Sequence, residues 1–240
     1  KIRFKEKFCF FSKKRGNGKL VWFHGSSVGE IISIIPLIEK LEKKKDIKNI
    51  LLTSSTITSA KVIQNLNLKK TIHQFYPIDS NVIINRFLNN WKPNSALFVE
   101  SEIWPNMIIN LKKRNIPLIL LNARITNKSY KKWKSISFFS KNIFEKFDLC
   151  LTQNNETSYY LKKLGAKNIK KIGNLKFSET NLKTKQTIHS RKKKFLYSKK
   201  ILFTAVSTHN SEEVFCGKLH TSLMKKHKNA ISIIIPRHTY

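Results

Sequence analysis

The sequence predicts an α/β protein built on an open, mostly parallel sheet. Three observations carry this. The apolar runs are short and continuous rather than alternating, amphipathic helical stretches separate them, and polar segments follow the ends of the runs. Strands buried on both faces read as unbroken β-branched and Leu runs, and helices between such strands make them parallel. In order, Leu20-Val21-Trp22-Phe23-His24 predicts a strand, with a helix from about Glu30 to Lys45. Ile50 to Thr53 predicts the next strand, and Thr58 to Leu66 its helix. Strands follow at Ala96 to Glu100, Pro117 to Leu121 and Leu149 to Thr152. After Phe177 the pattern breaks: residues 178–200 are polar and basic, with 178–194 read as a linker. The βα rhythm resumes with strand Ile201 to Ala205, a helix from about Ser211, and strand Ile231 to Ile235. This predicts a first domain over 1–177 and a second beginning at 195 and running to 240, without internal repeats. The core of the second is too small to stand alone, and the chain begins with Lys1 rather than Met, so the sequence reads as a fragment.

Composition narrows the function classes. Lys and Arg total 47 against 14 Asp and Glu, a net charge of 47 − 14 = +33, yet hydrophobic residues make up 40%. That apolar fraction supports a packed core and excludes a disordered basic tail. No apolar run approaches the roughly 18 residues of a membrane span, so no transmembrane helix or signal peptide is predicted within the chain. Cys9, Cys150 and Cys216 lie far apart with no C-x-x-C pair, which argues against a disulfide framework and a zinc site and suits a reducing compartment. The basic residues are 40 Lys and 7 Arg, spread along nearly every segment. A nucleic-acid reader leans on Arg for bidentate contacts, so the excess reads first as compositional bias and second as attraction to an anionic membrane or substrate.

The candidate site residues cluster after strands. His24-Gly25-Ser26-Ser27-Val28-Gly29-Glu30 joins the first strand to its helix, at the edge where open α/β sheets bind ligands. Glycine permits a tight turn there, and Glu30 could be an ordinary first-turn carboxylate. Gly25 to Gly29 also fits the G-x-S-x-G nucleophile elbow with Ser27 at its centre. However, a hydrolase places its oxyanion loop and several strands before that elbow, and the only Asp residues (Asp46, Asp79, Asp148) make no obvious triad. Glu100-Ser101-Glu102-Ile103-Trp104-Pro105-Asn106 follows another strand, with Trp104-Pro105 read as a rigid turn opening a helix. Asn122-Ala123-Arg124 and Gly173-Asn174-Leu175-Lys176 complete the first domain's set. In the second, Ser207-Thr208-His209-Asn210-Ser211-Glu212-Glu213 predicts a phosphate-binding helix start or a plain capping box. Pro236-Arg237-His238 follows the last strand.

These six motifs, in this order and approximate spacing, resemble the 3-deoxy-D-manno-octulosonic acid (Kdo) transferases across about Phe4 to Tyr240. The resemblance implies a GT-B glycosyltransferase: two Rossmann-like domains, acceptor-binding first and CMP-Kdo-binding second. It implies inverting transfer of Kdo from CMP-Kdo to a lipid A precursor (lipid IVA) in lipopolysaccharide assembly, on the cytoplasmic face of an anionic inner membrane, with an anchor expected upstream. By the same resemblance Glu30 is the general base, and Glu100 and Lys176 give transition-state support. Ser26, Ser27, Gly29, Glu102, Arg124, Ser207, His209, Pro236 and Arg237 bind substrate, with no cofactor, metal or specific nucleic acid implied. Gly25-Ser26 stands where relatives often carry two Ala, and His238-Thr239-Tyr240 where His-Pro-Glu is usual. Two other readings remain: a basic protein binding nucleic acid or anionic membrane, and a sugar-nucleotide epimerase on the same fold. The chemistry agrees with transfer. A sugar hydroxyl is a poor nucleophile and calls for a nearby carboxylate, one whose pKa partial burial would raise toward neutrality.

Overall fold

A computed structural model describes residues 2–177 and 201–237. The chain forms two compact units, Lys1–Asn181 and Leu182–Tyr240. The expected linker at 178–194, the start of the second domain at 195–200 and the loop end at His238 lie outside the described residues.

Unit 1 alternates strand and helix throughout. Its strands are β1 (Leu20–His24), β2 (Asn49–Ser54), β3 (Thr71–Phe75), β4 (Ser95–Val99), β5 (Leu118–Ala123), β6 (Leu149–Thr152) and β7 (Ile169–Lys171). Between them run α1 (Val28–Glu42), α2 (Ile57–Gln64), α3 (Asn81–Trp91), α4 (Pro105–Lys113), α5 (Asn127–Ser135), α6 (Ser137–Phe144) and α7 (Asn155–Leu164). A 3-10 turn at Ile2–Phe8 precedes β1 and another at Leu175–Phe177 follows β7. The sheet order is β3-β2-β1-β4-β5-β6-β7, and every pairing is parallel.

The core explains the unbroken apolar runs. All five residues of β1 are buried, Leu20 and Trp22 among one apolar cluster and Val21 and Phe23 among the other. One layer gathers Trp22, Phe87, Trp91, Phe98 and Phe144; the other gathers Phe23, Ile31, Ile34, Ile38 and Leu52. A strand sandwiched between helical layers has no wet face and therefore no reason to alternate.

The structure corrects several boundaries. The first helix starts at Val28, two residues early, because Ser27 caps it. The strand expected to include Glu100 stops at Val99, and Glu100 turns into the left-handed region at φ 56°. Strands β3 and β7 were not anticipated: Thr-Ile-His-Gln-Phe interleaves polar residues, and Ile169–Lys171 is short and mostly exposed. Both are edge strands, where one-sided burial removes the continuous apolar signal.

Unit 2 contains β8 (Ile201–Thr208), α8 (Glu212–Lys226) and β9 (Ala230–Pro236), with β8 and β9 parallel. One further βα turn is thus in place as expected.

Candidate active site at the carboxyl edge of the sheet

The strand order decides where chemistry can gather. From β1 the chain moves outward to β2 and β3, then returns to lay β4 on the other flank of β1. Successive connections diverge between β1 and β4, leaving a crevice beyond their carboxyl ends, the switch point where open α/β sheets bind ligands. The segments 24–30 and 100–106 leave that point together.

Glu30 is held by its own helix start. Ser27 is the N-cap and accepts the Glu30 amide at 3.3 Å. In return the Glu30 carboxylate accepts the Ser26 amide at 2.7 Å and the Ser27 hydroxyl at 2.9 Å. This is a reciprocal cap, shifted by one residue from the usual box. Gly25 gives the first turn room: a Cβ there would stand 3.2 Å from the Glu30 Cβ, and the turn would have to give by a few tenths of an ångström. Burial raises the Glu30 pKa; the bonds from Ser27 and Ser26 oppose this, and the charges of Glu102 and Glu100 add to the rise, so the net direction is upward. Burial and the neighbouring acids outweigh these two donors, one hydroxyl and one amide, so the carboxylate takes a proton more readily than an ordinary one. Ser27, committed at both ends to Glu30, is a helix cap rather than a nucleophile.

Glu102 lies on the other side of Ser26 and behaves oppositely. Its Oε2 accepts His24 Nε2 at 3.0 Å, the Ser26 hydroxyl at 3.0 Å and the Trp104 indole at 2.8 Å. Burial alone would raise its pKa, but His24, Trp104 and Ser26 outweigh burial and hold it low. His24 is fully buried, stacked 3.8 Å from the Tyr76 ring, with Nδ1 at 3.0 Å from the Thr53 hydroxyl. Ser26 bridges the two acids: its amide serves Glu30 and its hydroxyl serves Glu102. Ser55 Oγ, 2.9 Å away, must then donate to Ser26.

Glu100 pairs with Lys176, whose Nζ lies 2.8 Å from the Glu100 Oε1. The approach is off the hydrogen-bonding direction, so the contact is an ion pair rather than an aligned hydrogen bond. Lys176 is 42% exposed at its side chain and so keeps its ammonium reachable. It reaches the corner over Gly29, where an added Cβ would stand 3.8 Å from Nζ. Asn122, left-handed at φ 53°, anchors this lysine's turn by accepting the Leu175 amide at 3.1 Å. Beside Ser55 a cleft of about 840 Å³ opens, lined by Arg3, Phe4, Lys7, Ile57, Lys61 and Phe75 among others.

Of the residues predicted from sequence, Ser26, Ser27, Gly29, Glu30, Glu100, Glu102 and Lys176 meet at this edge. Arg124 joins through its backbone: its amide donates to the Glu100 carbonyl at 3.3 Å, its carbonyl accepts the Ser101 hydroxyl at 2.5 Å, and its side chain is exposed. The prediction missed the buried supports His24, Thr53, Tyr76 and Asn122 and the half-buried Ser55. His24 and Asn122 were within quoted motifs, but only folding reveals which acid His24 serves and which amide Asn122 receives.

In unit 2, Ser207, His209, Pro236 and Arg237 abut at the carboxyl ends of β8 and β9, where the Arg237 amide donates to the Thr208 carbonyl at 3.0 Å. The expected capping box is only half formed. Glu212 accepts the His209 amide at 2.7 Å and Glu213 accepts the Thr208 hydroxyl at 2.7 Å, but Ser211 is left-handed at φ 76° and its hydroxyl caps nothing. The left-handed turns at Ser207 and Ser211 leave no hydroxyl aligned on the first turn of the helix. Among the described residues no cluster of three His, Cys, Asp or Glu could hold a metal ion.

Residues 2–179 match the family model described as 3-deoxy-D-manno-octulosonic-acid transferase (kdotransferase). The 3-deoxy-D-manno-octulosonic acid transferase of Rickettsia bellii is 33% identical over 236 residues, 98% of this chain and 56% of the relative. That of Haemophilus influenzae is 29% identical over 221 residues, 91% of this chain and 52% of the relative. The chain thus spans about half the length of the curated relatives it matches. Among solved structures, UDP-GlcNAc 2-epimerase from Neisseria meningitidis aligns with a TM-score of 0.60 at 15% identity, over 93% of this chain and 66% of that one. Such a likeness concerns the fold alone, which is Rossmann-like and of the GT-B kind. The matched family model covers the whole of unit 1's described residues, and with relatives at this identity the chain belongs to the 3-deoxy-D-manno-octulosonic acid transferase family.

Proposed function

We propose that the chain serves an inverting transfer of Kdo from CMP-Kdo to a lipid A precursor (lipid IVA), at the cytoplasmic face of the inner membrane. In this reading residues 1–177 bind the acceptor and 195–240 begin the donor-binding domain. The acceptor hydroxyl gives its proton to Glu30 while its oxygen attacks the anomeric carbon; a new C–O bond forms, the bond to the phosphate oxygen breaks, and CMP departs. Lys176, held by Glu100, offers a counter-charge to the Kdo carboxylate, as does the exposed Arg124. Pro236, Arg237, Ser207 and His209 are assigned to CMP, where Arg237 and helix amides meet the charge that builds on the leaving phosphate, without calling on a metal. The cleft beside Ser55, apolar through Phe4, Ile57 and Phe75 and basic through Arg3, Lys7 and Lys61, suits an acylated, phosphorylated acceptor.

One observation carries this reading: a carboxylate whose pKa is pushed up stands at the switch point beside a second whose pKa is held down and a lysine that remains reachable. The test is Glu30→Gln in the full-length enzyme. Transfer should fall by roughly 10²–10⁴-fold, the ordinary worth of a positioned base, with donor affinity nearly unchanged. Turnover near the wild-type rate would remove Glu30 from the role.

A further inference from the structure

The crossover from β5 to β6 carries a surface that the transfer chemistry does not use. Residues 125–144 include five basic side chains (Lys128, Lys131, Lys132, Lys134, Lys141) and no acidic one. The crossover helix is broken at Ile136, whose φ −116° and ψ 49° separate α5 from α6. Helix α5 buries none of its residues. It is tethered by Tyr130, stacked 4.4 Å from Tyr160, and by Trp133, edge-on to Phe144 at 5.2 Å. The break places three large apolar side chains in water at one corner: Ile136 is 49% exposed, Phe139 43% and Phe138 89%. Scattered exposed apolar residues are ordinary, but a contiguous group marks an interaction surface. The five lysines around it are exposed, and among the described residues none has a hydrogen-bond or ion-pair partner for its ammonium.

We infer that the α5–α6 corner is a membrane-docking wedge: Phe138, flanked by Ile136 and Phe139, enters the acyl boundary of an anionic bilayer while Lys131, Lys132, Lys134 and Lys141 lie among its headgroup phosphates. The charge selects the occupant, since an unbroken basic segment complements an anionic surface. The exposed aromatics distinguish a bilayer from a soluble polyanion, because only the bilayer offers an apolar layer directly beneath its charge. The wedge stands on these contacts alone and does not depend on which sugar is transferred.

The test is sedimentation of the protein with vesicles of phosphatidylglycerol and phosphatidylcholine in equal parts, against phosphatidylcholine alone. Binding should require phosphatidylglycerol, and Phe138→Ser with Phe139→Ser should weaken it at least about tenfold. Lys131→Gln with Lys134→Gln should lower the phosphatidylglycerol preference. Both changes are at exposed positions, so the melting temperature should hold. A second measurement places an environment-sensitive dye on Phe138→Cys; Cys9, Cys150 and Cys216 are buried, so the new thiol labels selectively. Its emission should shift to the blue on vesicle binding. Unchanged vesicle binding by the double serine variant, or unshifted emission from bound protein, would each overturn the wedge.

Discussion

Glu30 and Glu102 flank one serine, yet the fold drives their proton affinities apart. Both follow the ends of adjacent parallel strands, and Ser26 donates to each. Glu30 draws its hydrogen bonds from residues three and four positions back in its own helix start. Glu102 draws three from separate segments, one of them the ring of a fully buried histidine. Burial pushes both upward, and only Glu102 has enough donors to reverse it. The difference teaches that neighbouring carboxylates in one polar corner can take separate tasks: the one with more hydrogen-bond donors remains a fixed anion and the one with fewer becomes the proton acceptor.

The largest effect expected from breaking this contrast is on turnover, through Glu30→Gln as described above. Next comes stability. Glu102→Gln removes the charge from an acceptor of three bonds, each about 1.5–3 kcal/mol when charged, and a Gln cannot satisfy all three donors. A loss of roughly 2–4 kcal/mol by denaturant unfolding is expected, whereas Glu30→Gln should not lower stability at neutral pH. Equal losses in the two variants would erase the distinction.

The pH dependence follows with its sign. Glu102, held below its unfolded value, contributes stability above that value and loses it as pH falls through the lowered one. Glu30, held above its unfolded value, favours the fold when protonated, and that contribution is gone once pH has risen through the raised value. The same shift governs catalysis, since the base must be unprotonated. The acid limb of kcat/KM should therefore lie above the ordinary carboxylate range, and in Lys176→Met it should stay in place while kcat drops. A limb at the ordinary value would contradict the raised Glu30.

The smallest effect should come from Gly25→Ala. Its new Cβ presses on the Glu30 Cβ at 3.2 Å, so the first turn must give by a few tenths of an ångström. Activity should fall roughly threefold to tenfold, because small misplacements of a reacting group are costly, with Glu102 and its bonds undisturbed. Thermal unfolding within about 1 kcal/mol of wild type would show the loss to be positional.

Much of this was legible before folding. The β1, β2, β4, β5 and β6 strands announced themselves because burial on both faces demands unbroken apolar runs, whereas β3 and β7, at the sheet edges, gave no such signal. Glu30, Glu100, Glu102 and Lys176 could be named because the order of their motifs resembles the Kdo transferases; position after a strand would not have singled them out. The sequence alone determined the βα rhythm and the proline that opens α4, both set by interactions within a few residues. Tertiary structure decided the rest: that β4 returns beside β1, that His24 reaches Glu102 across 78 positions, and that Asn122 receives the amide preceding Lys176 across 53. Local propensity acts over a turn or two of chain, but proton affinity depends on which distant donors packing brings within 3 Å, and no short stretch of sequence contains both partners.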